Sequence, residues 1–397
     1  MDTIVYDAGR LEPAYIALRH DIHAHPETAG CEERTATVVE NELHACGIET
    51  VRSGTCVIGT LQGGKPGKKL ILRADMDALP VTEQTGLPFA SRAAGICHAC
   101  GHDIHTAALL FAARLLSLRR SELHGSVCFL FQPAEETLTG AHAVLTDSVL
   151  SAALSGADAI FAAHTWPDLP AGSIGLRRGV MMASADTFTI RVQAQGGHAA
   201  HPERTADPVL TAAQIITQLH TIVSRELLPT DSAVLTVGEI HAGSAPNIIP
   251  SEAVLRGTFR TLSPAVRETI AAGIRRITEQ TAAAGRADAQ AAFSPGCPPL
   301  INTDALLPLI ERAAVETVGR ENVSFLPSPS MGSEDFSCYL ETLPGVFFRI
   351  GTGDERKESR LGLHNARLVF NEASIRTGAM MLCRAAMLFT ASADANI

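Results

Sequence analysis

No apolar run in the 397-residue chain approaches about 18 residues, the length a helix needs to span a bilayer, so no membrane-spanning helix is expected. Positive charge is scarce as well: 32 Lys and Arg stand against 42 Asp and Glu, a formal net charge of -10. That is the wrong sign for gripping a polyphosphate backbone, which removes nucleic acid from the expected partners. The first ten residues carry Asp2 and Asp7 and have neither a basic stretch nor an apolar core, so a secretory leader is not expected and the reading is a soluble cytoplasmic protein. Nine cysteines, an odd number scattered over a long chain, do not look like a disulfide framework; most read as small buried hydrophobes. With 46% hydrophobic and 19% charged residues, the chain can bury one large core or two smaller ones, and disorder is excluded.

What is present alternates between helix and strand. Amphipathic stretches at residues 11–19 and 32–45, the second stopped by Gly47, read as helices. Short apolar runs at 57–61, 69–74, 127–132 and 159–164 are bounded by Gly, Pro or charge, as buried strands are, and a helical stretch at 107–118 lies between the second and third. The order predicts an α/β fold, a mixed and largely parallel sheet flanked by helices, with its site at the carboxyl ends of the strands. The character changes near Ser184. Residues 187–195 alternate, with Phe188, Ile190, Val192 and Ala194 on one face, and a helix of about 18 residues follows from Asp207-Pro208. Strands at 233–240 and 253–260, a helix at 263–283 and a weak strand near 287–293 complete a βαββαβ, ferredoxin-like order. Residues 184–295 are therefore expected to form an inserted domain.

The densest polar chemistry is Cys97-His98-Ala99-Cys100-Gly101-His102-Asp103-Ile104-His105, two thiols and three imidazoles within nine positions. Metal binding is the reading it suggests. In an extended segment residues two apart face the same way, so Cys100 and His102 can address one point while Gly101 lets the backbone approach. A redox role for Cys97 and Cys100 lacks a thioredoxin-like helix start, and structural zinc lacks a second Cys or His pair at finger spacing. Gln132-Pro133-Ala134-Glu135-Glu136 follows the strand 127–132. One of its carboxylates can ligate metal while the other takes a proton from bound water. An isolated Glu-Glu is more often a solvated pair capping a helix, here one beginning near Thr137. His164 ends the next apolar run on the same sheet edge, where a lone histidine is more often packed core. Asp75 and Asp77 close the strand 69–74; Asp77 reads as an acceptor that orients a ligand imidazole, and Asp75 is left open. Gly362-Leu363-His364-Asn365 carries no signal by itself.

Together with His23-Ala24-His25-Pro26-Glu27, Arg73-Ala74-Asp75-Met76-Asp77-Ala78-Leu79-Pro80, Gly196-Gly197-His198-Ala199-Ala200, Pro246-Asn247-Ile248-Ile249-Pro250 and Gly332-Ser333-Glu334-Asp335-Phe336, these stretches resemble the dinuclear metallopeptidase family of aminoacylases, carboxypeptidases and diaminopimelate deacylases. The match is nearest to its branch of hippurate hydrolases and auxin-conjugate N-acyl-amino-acid amidohydrolases. Eight motifs in this order are highly specific. The resemblance implies that Cys100 bridges two divalent ions, that His102 and His164 complete one ion's shell and Glu136 and His364 the other's, and that Glu135 is the general base. It leans to manganese or zinc, with cobalt or nickel open to a soft bridging thiolate. It also implies that residues 1–183 and 296–397 form the catalytic metal-binding domain and 184–295 the dimerisation (lid) domain of a homodimer. His198 would reach into the neighbouring subunit's site to hold an oxyanion, and Asn247 and Arg260 would grip the carboxylate of a small-molecule substrate. The implied reaction is hydrolysis of N-acyl amino acids to a carboxylic acid and a free amino acid. The rivals are a small-dipeptide peptidase, an N-acetyl-diaminopimelate deacetylase and a silent metal-binding scaffold; Glu135 beside a full ligand set argues against the scaffold. His20, His23, His25, His105 and His201 read as capping, packing or surface groups, and Glu334 and Asp335 as caps of a helix near Phe336. Ala366, where relatives usually have proline, points to a looser loop around His364.

Overall fold

The computed structural model describes residues 2–392; Met1 and residues 393–397, which belong to the expected catalytic domain, lie outside the described residues. The chain divides into two compact units, one of residues 2–181, 301–328 and 335–392 and one of residues 182–300 and 329–334.

The first unit is built on an eight-stranded sheet in the order Glu49–Ser53, Cys56–Gln62, His124–Gln132, Lys65–Asp75, Ala159–Pro170, Gly345–Gly353, Ile174–Leu176, Val323–Phe325. The four central strands pair in parallel, the pairs flanking them are antiparallel, and the edge pair of Ile174–Leu176 with Val323–Phe325 is again parallel. The central strands read as continuous apolar runs because both faces are covered: every residue from Leu70 to Asp75 and from Val127 to Gln132 is buried. Helices Thr3–Ala24, His102–Ser117, Leu307–Val318 and Ala373–Thr390 pack with one another beside the sheet, and His102–Ser117 is buried almost throughout, as its apolar circumference requires. The first helix is longer than the apolar spacing at 11–19 indicates. Asp2 caps it by accepting from the backbone N–H of Ile4 at 3.0 Å, and its inner face carries the buried polar residues Arg19 and His23, which interrupt the amphipathic pattern.

In the second unit, strands Ala233–Ala242, Glu252–Thr261, Ala185–Gln193 and Asp288–Cys297 form an antiparallel sheet in that order, the βαββαβ arrangement. Phe188, Ile190 and Val192 are buried against Ile215 and Leu219 of helix Pro208–Thr221 and Ile270 and Ile274 of helix Pro264–Ala284. The first of these helices does not run as one regular piece: its last turn, Ile222–Glu226, widens to π geometry.

Candidate metal centre

Parallel pairing brings the strand ends of the first unit level. Asp75 lies opposite Gln132 and Arg73 opposite Ala162, so His164, two residues on, stands beside Asp75 at the carboxyl edge. Beyond Gln132 the chain turns with Ala134 at φ 58° and Leu138 at φ 56°, and no helix begins at Thr137; the next one is Gly140–Thr146. That turn carries Glu135 and Glu136 and is pinned at two points, where Ala134 N donates to the buried Glu32 at 2.9 Å and Glu136 N to Asp77 Oδ2 at 2.9 Å. Cys100 and His102 do not sit on an extended segment. Gly101 adopts φ 87° and His102 is the first residue of its helix, so the two side chains meet through a left-handed turn at a helix start.

The donor atoms converge as two triads that share one member. Cys100, His102 and His164 present atoms within 4.8 Å of one another, and so do Cys100, Glu136 and His364. Cys100 Sγ is 3.5 Å from His164 Nε2; Glu136 Oε1 is 3.4 Å from His364 Nε2 and 3.8 Å from His102 Nε2. Glu135 Oε2 stands 3.9 Å from His102 Nε2, beside the triads, and is buried. Asp77 Oδ1 is 3.2 Å from His102 Nδ1, and His164 Nδ1 donates to Thr165 O at 2.7 Å, so each imidazole has one nitrogen tied back and the other turned inward. Burial pushes the Cys100 thiol up and Glu136 adds to this. His364 is pushed up to about 10 by its hydrogen bonds to Cys100 and Glu136. His102 is also raised, because Asp75, Cys100 and Asp77 together outweigh its burial. His164 moves the other way, held well below its ordinary value by burial and by the neighbouring His105 and Arg349.

The sequence of the chain matches peptidase family M20/M25/M40 over residues 71–388. The chain belongs to this family. Among its relatives is an N-acetyl-L-cysteine deacetylase of Bacillus subtilis, 41% identical over 345 residues that cover 86% of this chain and 81% of that protein. Another is a hippurate hydrolase of Campylobacter jejuni, 35% identical over 384 residues covering 96% of this chain and 97% of that protein. The structure is similar to that of Bacillus subtilis YXEP, described as a dinuclear metal-binding M20 peptidase, with a TM-score of 0.82, 34% identity and coverage of 96% of this chain and 99% of that one.

The two donor triads fit a pair of ions on their own evidence. Buried His102 Nε2 has no hydrogen bond of ordinary geometry, and buried Glu136 Oε1 has only the long 3.4 Å approach of His364 Nε2, a costly arrangement for polar atoms without a ligand. Nitrogen, oxygen and sulfur donors at 2.0–2.3 Å from a tetrahedral ion lie roughly 3.3–3.8 Å from one another, and the separations within each triad, 3.4 Å for Glu136 and His364 and 3.5 Å for Cys100 and His164, fall in that range. The loop around His364 is not loose: His364 N donates to Ala99 O at 2.9 Å and Gln84 N to Ala366 O at 2.8 Å, although His364 itself sits at φ 68°.

His198, Asn247 and Arg260 belong to the second unit. His198 is exposed on the short strand Gly197–His198, which pairs with Ile248–Ile249, and Asn247 lies at the start of that pairing, its carbonyl accepting from Ala199 N at 3.1 Å. Arg260 donates to Met331 O at 3.2 Å and Ser333 Oγ at 3.1 Å. Two readings of polar residues change. Asp335, the first residue of the short 3-10 helix Asp335–Glu341, reaches well beyond it: it accepts from Arg73 Nη2 at 3.0 Å, Gln132 Nε2 at 2.8 Å and Ala141 N at 2.8 Å, bracing the strand ends under the centre. His105 is buried inside the cluster, bonded to Asp75 Oδ1 at 2.6 Å. The spacing Gly101-His102-Asp103-Ile104-His105 was its only signal, since residues three apart share a helix face.

Proposed function

We propose that this chain is a metal-dependent amidohydrolase that cleaves the amide bond of N-acyl amino acids into a carboxylic acid and a free amino acid. The observation that carries the reading is the sharing of Cys100 between two donor triads, with the buried Glu135 beside them. Cys100, His102 and His164 would hold one divalent ion and Cys100, Glu136 and His364 the other. Ions bound there supply Lewis acidity, making a water acidic near neutral pH and polarising an amide carbonyl. Glu135 takes the proton as the water oxygen adds to the carbonyl carbon, and hands it to the amine nitrogen as the C–N bond breaks. Water is thus split between the two products and no covalent enzyme intermediate forms. Asp77 holds His102 in the tautomer whose Nε2 faces inward. His198 would donate to the oxyanion from a neighbouring subunit, and Asn247 and Arg260 would bind the substrate carboxylate. The donor set of thiolate, imidazole and carboxylate suits zinc and admits cobalt or nickel; manganese enters through the family resemblance. A homodimer working in the cytoplasm is the setting this reading assumes.

Relatives that deacetylate N-acetylcysteine or hydrolyse hippurate support the choice of N-acyl amino acids over dipeptides. The test is release of free amine from N-acetylcysteine, hippurate, N-acetyl-methionine, an indoleacetyl amino acid and matched dipeptides, with and without chelator. Glu135→Gln should keep its metal and lose nearly all turnover. Near-normal hydrolysis by that variant, or activity untouched by exhaustive chelation, removes the mechanism; a preference for dipeptides transfers the chain to the peptidase reading.

A further inference from the structure

We infer that His105 is a positioning residue that sets the spacing of Cys100 and His164 by acting through Thr165, and that it is not itself a ligand. The inference rests on the reading above that Cys100 and His164 hold an ion. Asp75, His102 and His105 also bring donor atoms within 4.8 Å of one another, a spacing that taken alone could seat a cation. Hydrogen bonding excludes His105 from that use. Asp75 is fully buried and paired with Arg73 Nη1 at 2.8 Å, so it is a carboxylate that can only accept, and His105 Nδ1, 2.6 Å from its Oδ1, must carry the proton. On the other side of the ring, Thr165 N donates to His105 Nε2 at 2.8 Å, and a backbone N–H has no other role available. Both ring nitrogens are committed. The tautomer is fixed with Nδ1–H, and no lone pair remains for an ion.

Thr165 in turn touches both candidate ligands. Its hydroxyl donates to Cys100 O at 3.0 Å, and its carbonyl accepts from His164 Nδ1 at 2.7 Å. A side chain at Gly101 would meet Thr165 Oγ1 at 2.6 Å, so the turn carrying Cys100 is pressed against this residue. The chain Arg73, Asp75, His105, Thr165 therefore ends on two backbone and side-chain groups that decide where Cys100 Sγ and His164 Nε2 stand, 3.5 Å apart.

Two amides separate the halves of this arrangement. Glutamine at 105 carries a carbonyl oxygen near the Nε2 position and can accept from Thr165 N; asparagine carries its amide near the Nδ1 position, can donate to Asp75 and falls short of Thr165. Zinc is titrated into chelator-stripped full-length protein against a chromogenic chelator, and the melting temperature of each stripped protein is recorded. His105→Gln should bind zinc within about threefold of wild type, whereas His105→Asn and His105→Ala should lose about 10–100-fold in affinity for one of two ions. Thr165→Val, which removes the hydroxyl's bond to Cys100 O and its 3.2 Å contact with His105 Nε2 but keeps the Thr165 N–H and C=O in place, should shift in the same direction and keeps the test open if His105→Ala fails to fold. Wild-type affinity in His105→Asn and Thr165→Val, or a loss in His105→Gln as large as in His105→Asn, overturns the inference. Melting temperatures that fall alike in all stripped variants while zinc affinities stay level would also overturn it, since His105 would then serve packing alone. Wild-type protein that takes up no zinc overturns the metal-centre reading instead, and this inference with it.

Discussion

Replacing Asp77 by asparagine removes a charge and almost no volume, yet the surroundings leave the amide no good orientation. Asp77 is 1% exposed and faces two donors: Glu136 N–H at 2.9 Å and, whenever His102 Nε2 is to keep a lone pair, His102 Nδ1–H at 3.2 Å. Asparagine has one acceptor oxygen. If that oxygen takes the Glu136 N–H, the amide NH2 points at His102 and favours the tautomer protonated on Nε2, which cannot ligate. If the oxygen takes His102, the NH2 abuts the Glu136 N–H and displaces the turn carrying both glutamates. Loss of such an outer partner costs about 10–100-fold in metal affinity, or about 1.4–2.7 kcal/mol. Asp77→Ala loses both acceptors, where asparagine keeps one, but imposes no donor, so it should bind metal no worse than Asp77→Asn, against the usual expectation for an isosteric change. Both affinities can be read by competition with a chromogenic chelator on stripped protein, with melting temperature as the control for folding. An Asp77→Asn variant that binds two ions with wild-type affinity refutes the tautomer argument.

Other outcomes follow from single features. Gly101→Ala forces a side chain into a left-handed conformation at φ 87° and places its Cβ 2.6 Å from Thr165 Oγ1 and 3.1 Å from Phe370 Cζ, which should cost about 2–5 kcal/mol; a loss under about 1 kcal/mol in urea unfolding of stripped protein contradicts this. Burial raises the Glu83 carboxyl, but hydrogen bonds from His23, Thr85 and Ser91 prevail and hold it at about 2, below its ordinary 4.5. A depressed carboxyl contributes stability above its unfolded value, so the advantage of wild type over Glu83→Gln should be about 2–3 kcal/mol at neutral pH and vanish as pH falls from about 4.5 through 2. A pH-independent difference removes that assignment. His198→Ala should lower turnover about 100-fold with unchanged metal content, and mixing it with Glu135→Gln should restore part of the activity if the histidine works across subunits; no recovery in mixed dimers excludes the cross-subunit role.

The parts of this molecule legible in its sequence and the parts that were not differ in how far away their partners lie. Central strands announced themselves because burial on both faces demands unbroken apolar runs such as 70–74 and 127–131. The inserted sheet did so because one covered face demands alternation, as at Phe188, Ile190 and Val192. Cys100, His102 and the Glu135-Glu136 pair stood out because thiol, imidazole and carboxylate groups have few purely structural uses in such density, whereas His164 and His364 gained meaning only through the resemblance. The groups that hold those donors in place left no comparable trace. Arg19, buried by pairing with Asp103 across 84 positions at 2.6 Å, breaks the amphipathic pattern and shortens the first helix as read from spacing. Asp335 looked like a helix cap because its partners Gln132 and Arg73 lie more than two hundred residues upstream. Cys100 and His102 were read as a flat alternation, and only the positive φ of Gly101 against Thr165 shows that a turn joins them. A ligand advertises itself by its own chemistry. The outer partner that fixes its tautomer is an ordinary Asp, His or Thr until the fold supplies the second half of the bond, and for that reason the substitutions at Asp77 and His105 discriminate more sharply than removal of the ligands themselves.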